Sequence, residues 1–223
     1  MNKIVENQIA DYILDKKIKT RVKLSSSFNM ICEKILLENN EAFVAKYYQN
    51  KKKEFNSIIS EKNSLSYLAN ITSLVPKIKF NSNELLIIDY IENNNVKDRN
   101  YQIILAEEIL KIHQNTNEKY GFKFDSQIGA LKQKNEFTDN WIIFFRDKRL
   151  NSIFELINND NPMASHINQR IEKLLKNIHN FIPNNPIPRL LHGDLWAGNI
   201  LYNNGKLVGL IDPGIFFGHN ELE

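Results

Sequence analysis

The sequence predicts an α+β fold of two lobes, a small one built on an antiparallel sheet and a second, mainly helical one. Three observations predict it. Strand-like runs gather before residue 91. Rows of apolar residues at helical spacing recur beyond it. Near the end, His192, Asp194 and Asn199 stand as H-x-D-x-x-x-x-N, and Asp212 follows after a hairpin pattern.

Taken in order, Val5, Ile9, Tyr12 and Ile13 recur at helical spacing and predict a short amphipathic helix. The polar stretch Ser25-Ser26-Ser27-Phe28-Asn29 reads as a loop ahead of the first strand, Met30–Glu38. A turn at Asn39-Asn40 leads to a second strand, Ala42–Tyr48. There Ala42, Val44 and Lys46 share one face, and Phe43, Ala45 and Tyr47 the other. A lysine on an inner face is costly unless it meets an anion. Lys46 is therefore either a snorkelling edge residue or a phosphate-binding one. Phe55–Leu68 reads as a helix carrying Glu61, which either pairs with Lys46 or faces solvent. Pro76 opens an extended segment, and Leu85–Ile88 reads as a buried strand passing through Asp89-Tyr90-Ile91 into the polar run Glu92–Asn95. This connector sets the expected lobe boundary, residues 1–91 against 92–223.

Beyond it, Leu105, Ile109 and Ile112 predict a helix of about four to five turns. Ala106, Leu110 and His113 form its second row, which makes His113 a packed residue. Residues 120–150 mix aromatic and polar side chains without clean periodicity, the pattern of an irregular, substrate-side insertion. Ile167, Ile171, Leu174, Leu175, Ile178 and Ile182 predict one helix ended by Pro183. Leu190-Leu191 read as a short strand. A hairpin around Asn203-Asn204-Gly205-Lys206 then brings Asp212 back beside Asn199.

Composition excludes several classes of function. A hydrophobic fraction of 42% with 25% charged residues is that of a soluble globular protein. A net charge of +3 is too slight for a nucleic-acid binder, and Lys51-Lys52-Lys53 reads as a solvated loop. The single cysteine, Cys32, excludes an internal disulfide and reads as a packed strand residue. The start has no apolar signal-peptide core, and no apolar run reaches membrane-span length. The expectation is a cytoplasmic protein with neither membrane nor nucleic acid as partner.

The chemistry lies in the order of the polar residues. Strand lysine, helix acid, connector, helix, H-x-D-x-x-x-x-N loop, hairpin and aspartate follow one another as phosphoryl transfer requires. In that reading Asp194 is the base that orients the attacking hydroxyl and takes its proton. Asn199 and Asp212 hold Mg²⁺ against the phosphates of ATP. Lys46 steadies those phosphates with Glu61 behind it, and His192 braces the loop.

HGDLWAGN followed by IDPGIFFGHNE resembles the fructosamine/ketosamine kinase family, a branch near the aminoglycoside and choline kinases. Tyr120-Gly121-Phe122, Ile128-Gly129, Gln133-x-Asn135, Trp141, Phe144-Phe145 and Arg149-Leu150 look like the family's middle segment. The resemblance implies a protein-kinase-like fold and Mg-ATP-dependent phosphorylation of a sugar hydroxyl on fructosamine adducts, free or protein-bound, an activity of deglycation. By match, Asp194 is the base, Asn199 and Asp212 bind metal, and Lys46 and Glu61 form the phosphate-binding pair. Ser26, Ser27, Asp89 and Ile91 fall on the nucleotide side, and Trp196 and Asn135 on the substrate side. Three departures accompany the match. Serines occupy the loop where the family bears glycine, Asp89 stands for a usual glutamate, and the family continues for several helices past the point where this sequence ends. The resemblance thus implies a C-lobe lacking those helices. Rival acceptors are choline, an aminoglycoside or homoserine, and the rival class is an inactive kinase-like binding protein. Trp196 and the 120–150 segment argue against the first group, and the complete set of matched residues against the second.

Overall fold

The computed structural model describes residues 3–223 apart from 28, 51–54 and 130, with Ser27 described by its backbone alone. Helix α1 (Lys3–Ile13) precedes three strands, β1 (Ile18–Ser27), β2 (Met30–Leu37) and β3 (Ala42–Tyr48). Helix α2 (Ser57–Leu68) follows, then β4 (Ile78–Asn81) and β5 (Leu85–Asp89). The five strands form one antiparallel sheet in the order β1-β2-β3-β5-β4. The strand alternation decides its two faces. Phe43, Ala45 and Tyr47 meet Val5, Ile9 and Ile13 of α1, whereas Val44 and Tyr48 meet Ile58, Leu65 and Leu68 of α2. Asn56 caps α2 by accepting the backbone N–H groups of Ile58 and Ile59.

Strand β1 corrects the sequence reading. Ser25 and Ser26 pair with Cys32 and Ile31, so the serine run is the end of a strand and not a loop. An edge strand needs little apolar alternation, and Val22 and Leu24 of β1 are exposed. The lysine run and Phe28 lie outside the described residues.

Helix α3 (Tyr101–His113) is shorter than expected, and β6 (Ser126–Ile128) pairs with β7 (Leu131–Gln133). Helical backbone then runs from α4 (Trp141–Ile143) through a π-helical stretch, Phe144–Asn151, into α5 (Ser152–Asp160). This region is core, not an irregular insertion: Tyr120, Phe122, Trp141 and Phe144 are buried in the cluster that also holds Leu65 and Ile88. The missing periodicity has a cause. A π-helix bonds i to i+5, so its apolar residues do not recur at 3.6. Helix α6 (Ser165–Lys176) also ends early, at Asn177, and Ile178 is buried from a separate 3₁₀ turn.

The last elements are β8 (Arg189–Leu191), β9 (Ile200–Asn203), β10 (Lys206–Leu210) and β11 (Phe216–Gly218). Strand β8 pairs with β11, and β9 with β10. Asn204 and Gly205 both have positive φ, 50° and 85°, as a two-residue hairpin turn of this type requires. Asn94 fastens the connector to that turn: its side chain bonds both Asn204 Oδ1 and the Asn204 N–H. Among the described residues no helix is long and apolar enough to cross a membrane.

Candidate active site

The loop after β8 is fixed by main-chain bonds. The buried His192 accepts the Gly214 N–H at its carbonyl, 2.9 Å away. The consecutive N–H groups of His192 and Gly193 both point at the Glu223 carboxylate, at 3.1 and 2.6 Å. Two successive N–H groups converging on one carboxylate form an anion-holding concavity. Glu223 is held in turn by His113 Nε2 at 3.1 Å. Gly193 has φ +87°, and a Cβ there would lie 2.1 Å from the Gly214 oxygen, so no other residue fits. Burial lowers the pKa of His192 and favours its neutral ring.

Asp194 follows directly. Asn199 Nδ2 donates to the Asp194 carbonyl at 2.8 Å and to Asp194 Oδ2 at 3.2 Å. Partial burial raises the Asp194 pKa above the ordinary carboxylate value; Asn199 opposes that shift, and Asp212 and Glu223 add to it. Across the hairpin, Ile211 N–H bonds the Asn199 carbonyl at 2.9 Å, which sets Asp212 beside Asn199. Lys46 reaches over from β3, with Nζ 2.5 Å from Glu61 Oε1 and also bonded to Asp212 Oδ1. Burial alone would discharge this lysine, but Asp212 and Glu61 push its pKa up and keep it charged.

Lys46, Glu61, Asp194 and Asp212 therefore line one space, with Asn199 bonded to Asp194. On the sheet side it opens into a cavity of about 320 Å³ walled by Val44, Ile88, Tyr90, Ile91, Leu201 and Ile211, with Asp89 at its edge. The Asp89 carboxylate is paired with Lys79 at 2.9 Å. On the other side lies a second cavity of about 320 Å³, bounded by Asp194, Gln133, Phe145, Arg149, Ile153 and Leu222.

Three other sequence-predicted residues are placed differently. Ser26 is exposed and lines none of these spaces; Ser25 lines two of them. The side chain of Ser27 lies outside the described residues. Trp196 is 61% exposed, its ring folded over Gly198, and it lines none of these three spaces. Asn135 is fully buried, donating to Phe124 O, Ser126 Oγ and Ile215 O and accepting from Arg149 Nη2 at 2.6 Å. It braces the frame around Arg149 and lines none of the three spaces described above.

Sequence reasoning missed Glu223, Arg149 and Gln127 as site residues. Arg149 is buried between the rings of Phe144 and Phe216, and burial lowers its pKa to about 9. Its donors go to the Lys134 and Lys148 carbonyls and to Asn135. Only the run Phe144-Phe145 before Arg149 hinted at an aromatic seat.

Comparison with known proteins gives the family and the fold. The model of a family described as fructosamine kinase matches residues 1–223. A probable ketoamine kinase of Enterococcus faecium is 32% identical over 142 residues, 62% of this chain and 49% of its own length. A chloroplastic protein-ribulosamine 3-kinase of Arabidopsis thaliana is 33% identical over 141 residues, 62% of this chain and 42% of its own. The match thus spans about half or less of these relatives. A crystal structure from Thermobifida fusca, named as a fructosamine-3-kinase, superposes with a TM-score of 0.82 at 18% identity, over 99% of this chain and 76% of that one. The α+β, protein-kinase-like fold is thereby shown.

Proposed function

The chain belongs to the fructosamine kinase family, and from that premise we propose that it transfers a phosphoryl group from ATP to a sugar hydroxyl of a ketoamine. One observation carries the reading. A charged lysine bonded to two carboxylates, Glu61 and Asp212, shares its space with a base, Asp194, whose pKa is raised. That is a cation poised for phosphate beside a group suited to take a proton.

In this reading residues 1–91 and the connector hold the nucleotide. The apolar cavity takes the base, with the backbone around Asp89 and Ile91 at its edge. Residues 92–223 hold the acceptor. Asn199 and Asp212 fit a divalent cation that seeks hard oxygens. The Asn199 amide nitrogen is spent on Asp194, which leaves Oδ1 as the atom to offer. Asp212 bonds Lys46 through Oδ1 and is half exposed. Among the described residues no three His, Cys, Asp or Glu side chains gather as a metal site. Two oxygens of this kind suit Mg²⁺, which retains waters and phosphate oxygens as its other ligands. Bound there, Mg-ATP would supply the electrophilic phosphoryl group. Asp194 Oδ1 is the oxygen left to accept the hydroxyl proton, and Asn199 fixes its partner Oδ2. Lys46 offers its charge to phosphate oxygens once released from Asp212.

The test is ATP turnover with a panel of acceptors. Fructosyl-lysine or ribulosyl-lysine should stimulate it, whereas choline and kanamycin should not. Equal stimulation by all of them would overturn the substrate assignment.

A further inference from the structure

Asn93 lies on the connector and lines the cavity walled by Val44, Ile88, Ile91, Leu201 and Ile211. It is half-buried, and its side chain is held in one orientation: Nδ2 donates to the Ile91 carbonyl at 3.0 Å. Only the amide nitrogen can donate to a carbonyl, so this bond fixes which end of the amide is which. The backbone beyond it is anchored too. The N–H groups of Asn94 and Asn95 both bond the Tyr202 carbonyl, at 3.1 and 2.9 Å, and the Asn94 side chain holds the β9–β10 turn. The other end of the amide, Asn93 Oδ1, accepts no hydrogen bond from a described residue and stays open to solvent. The cavity thus carries at its edge a fixed, accessible acceptor, and a matching ligand must bring a donor to it.

The inference rests on the nucleotide reading above, in which this cavity takes the base and Lys46 with Asp212 faces the phosphates. Phosphate oxygens and the ring nitrogens of adenine only accept, so none of them matches Oδ1. ATP carries three groups that donate: two ribose hydroxyls and the exocyclic amine. The amine lies on the edge of the base, among the apolar walls and the backbone of Asp89, Tyr90 and Ile91. Asn93 comes two residues later, where the chain leaves the cavity for its anchor on Tyr202. That half-buried place suits the sugar, the part of a bound nucleoside that stays nearer to water. We propose that Asn93 Oδ1 accepts a ribose hydroxyl, so that the site selects ribonucleotides over deoxyribonucleotides. Because water reaches Oδ1 when the hydroxyl is missing, the discrimination is that of one exchanged hydrogen bond, about threefold to tenfold.

The experiment titrates the full chain and Asn93→Ala with Mg-ADP, with its 2′-deoxy and 3′-deoxy analogues, and with inosine diphosphate, which lacks the amine. Melting curves establish that Asn93→Ala folds. The native chain should bind ADP about threefold to tenfold more tightly than one of the two deoxy analogues. Asn93→Ala should bring that ratio close to one. Equal native affinity for ADP and both deoxy analogues overturns the proposal, and so does a preference that persists in Asn93→Ala; either result leaves the nucleotide reading standing. If Asn93→Ala instead abolishes a preference for ADP over inosine diphosphate and leaves the deoxy ratio unmoved, Oδ1 meets the amine and the ribose assignment falls. Failure of the native chain to bind any of these nucleotides overturns the phosphoryl-transfer reading and this inference with it.

Discussion

Two cavities of about 320 Å³ flank the site, and they are built differently; Asp194 borders one of them. The one on the sheet side is walled by β3, β5 and the β9–β10 hairpin, and the ion pair of Lys46 with Asp212 lines its floor. The other is walled by a π-helical stretch, a short hairpin and the last turn of the chain. Its buried cation, Arg149, is spent on main-chain carbonyls and an amide, and no ion pair of Arg149 is found among the described residues. Formal charge on the first side faces the space a polyanion would fill. On the second side the Arg149 and Glu223 charges are locked into the frame, leaving Asp194 as the free carboxylate of a largely apolar lining. Under the proposed function, ions would steady the donor, and shape with hydrogen bonds would select the acceptor.

That division can be broken at the boundary first. Asp194→Ala should lower phosphoryl transfer by roughly 10²–10⁴-fold, the usual worth of a general base, while leaving nucleotide affinity in place. Turnover close to native would remove Asp194 from its role. Lys46→Met should strike the sheet side alone. It strands Glu61 in the interior, and removing one partner of a buried ion pair costs roughly 3–5 kcal/mol. Thermal unfolding and nucleotide titration should both register the loss.

Arg149→Met is the counterpart on the acceptor side. It leaves the Lys134 carbonyl and Asn135 Oδ1 short of a donor, for a loss of about 1–3 kcal/mol. Acceptor KM should rise with nucleotide affinity unchanged, and a drop in nucleotide affinity would contradict the separation of the two sides. The smallest effect is a pH dependence at Asp194 itself. A carboxyl whose folded pKa is raised contributes stability that is present below its unfolded pKa, near 3.9, and is lost as pH rises through the folded value. Asp194→Asn should therefore melt slightly higher than the native chain at neutral pH. The difference should close below about pH 4, and melting curves across pH 3–8 would measure it.

The two sides also differ in how readily the sequence discloses them. Lys46, Glu61 and Asp212 were legible because strand alternation put the lysine on the inner face and a good turn sequence returned the aspartate. The buried run Leu85–Ile88 was legible for its unbroken apolar character. Strand β1 was not, since an exposed edge strand carries no clear pattern and ends in three serines. On the acceptor side the usual signal was removed physically. Across Trp141–Asp160 the π-helical turns take the apolar residues off the 3.6 period. In α6 only Leu175 is buried, so its long apolar row overstated the helix. Glu223 and Gln127 act through contacts with Gly193, His192 and Gly214, and no local pattern announces a tertiary contact.

The π-helical stretch between Phe144 and Asn151 has one more consequence, which concerns chain length. Each residue added to an α-helix turns everything beyond it by about 100°. A wide turn takes up an added residue locally, so the helix continues with its downstream face unrotated. Here that keeps Trp141 and Phe144 in the core while Arg149 and Ile153 still face the acceptor cavity. One residue fewer in this stretch would convert wide turns to ordinary ones and keep the helix intact. The pocket wall, however, would swing away from Asp194, so the length of this segment sets the shape of the acceptor site as firmly as its side chains do.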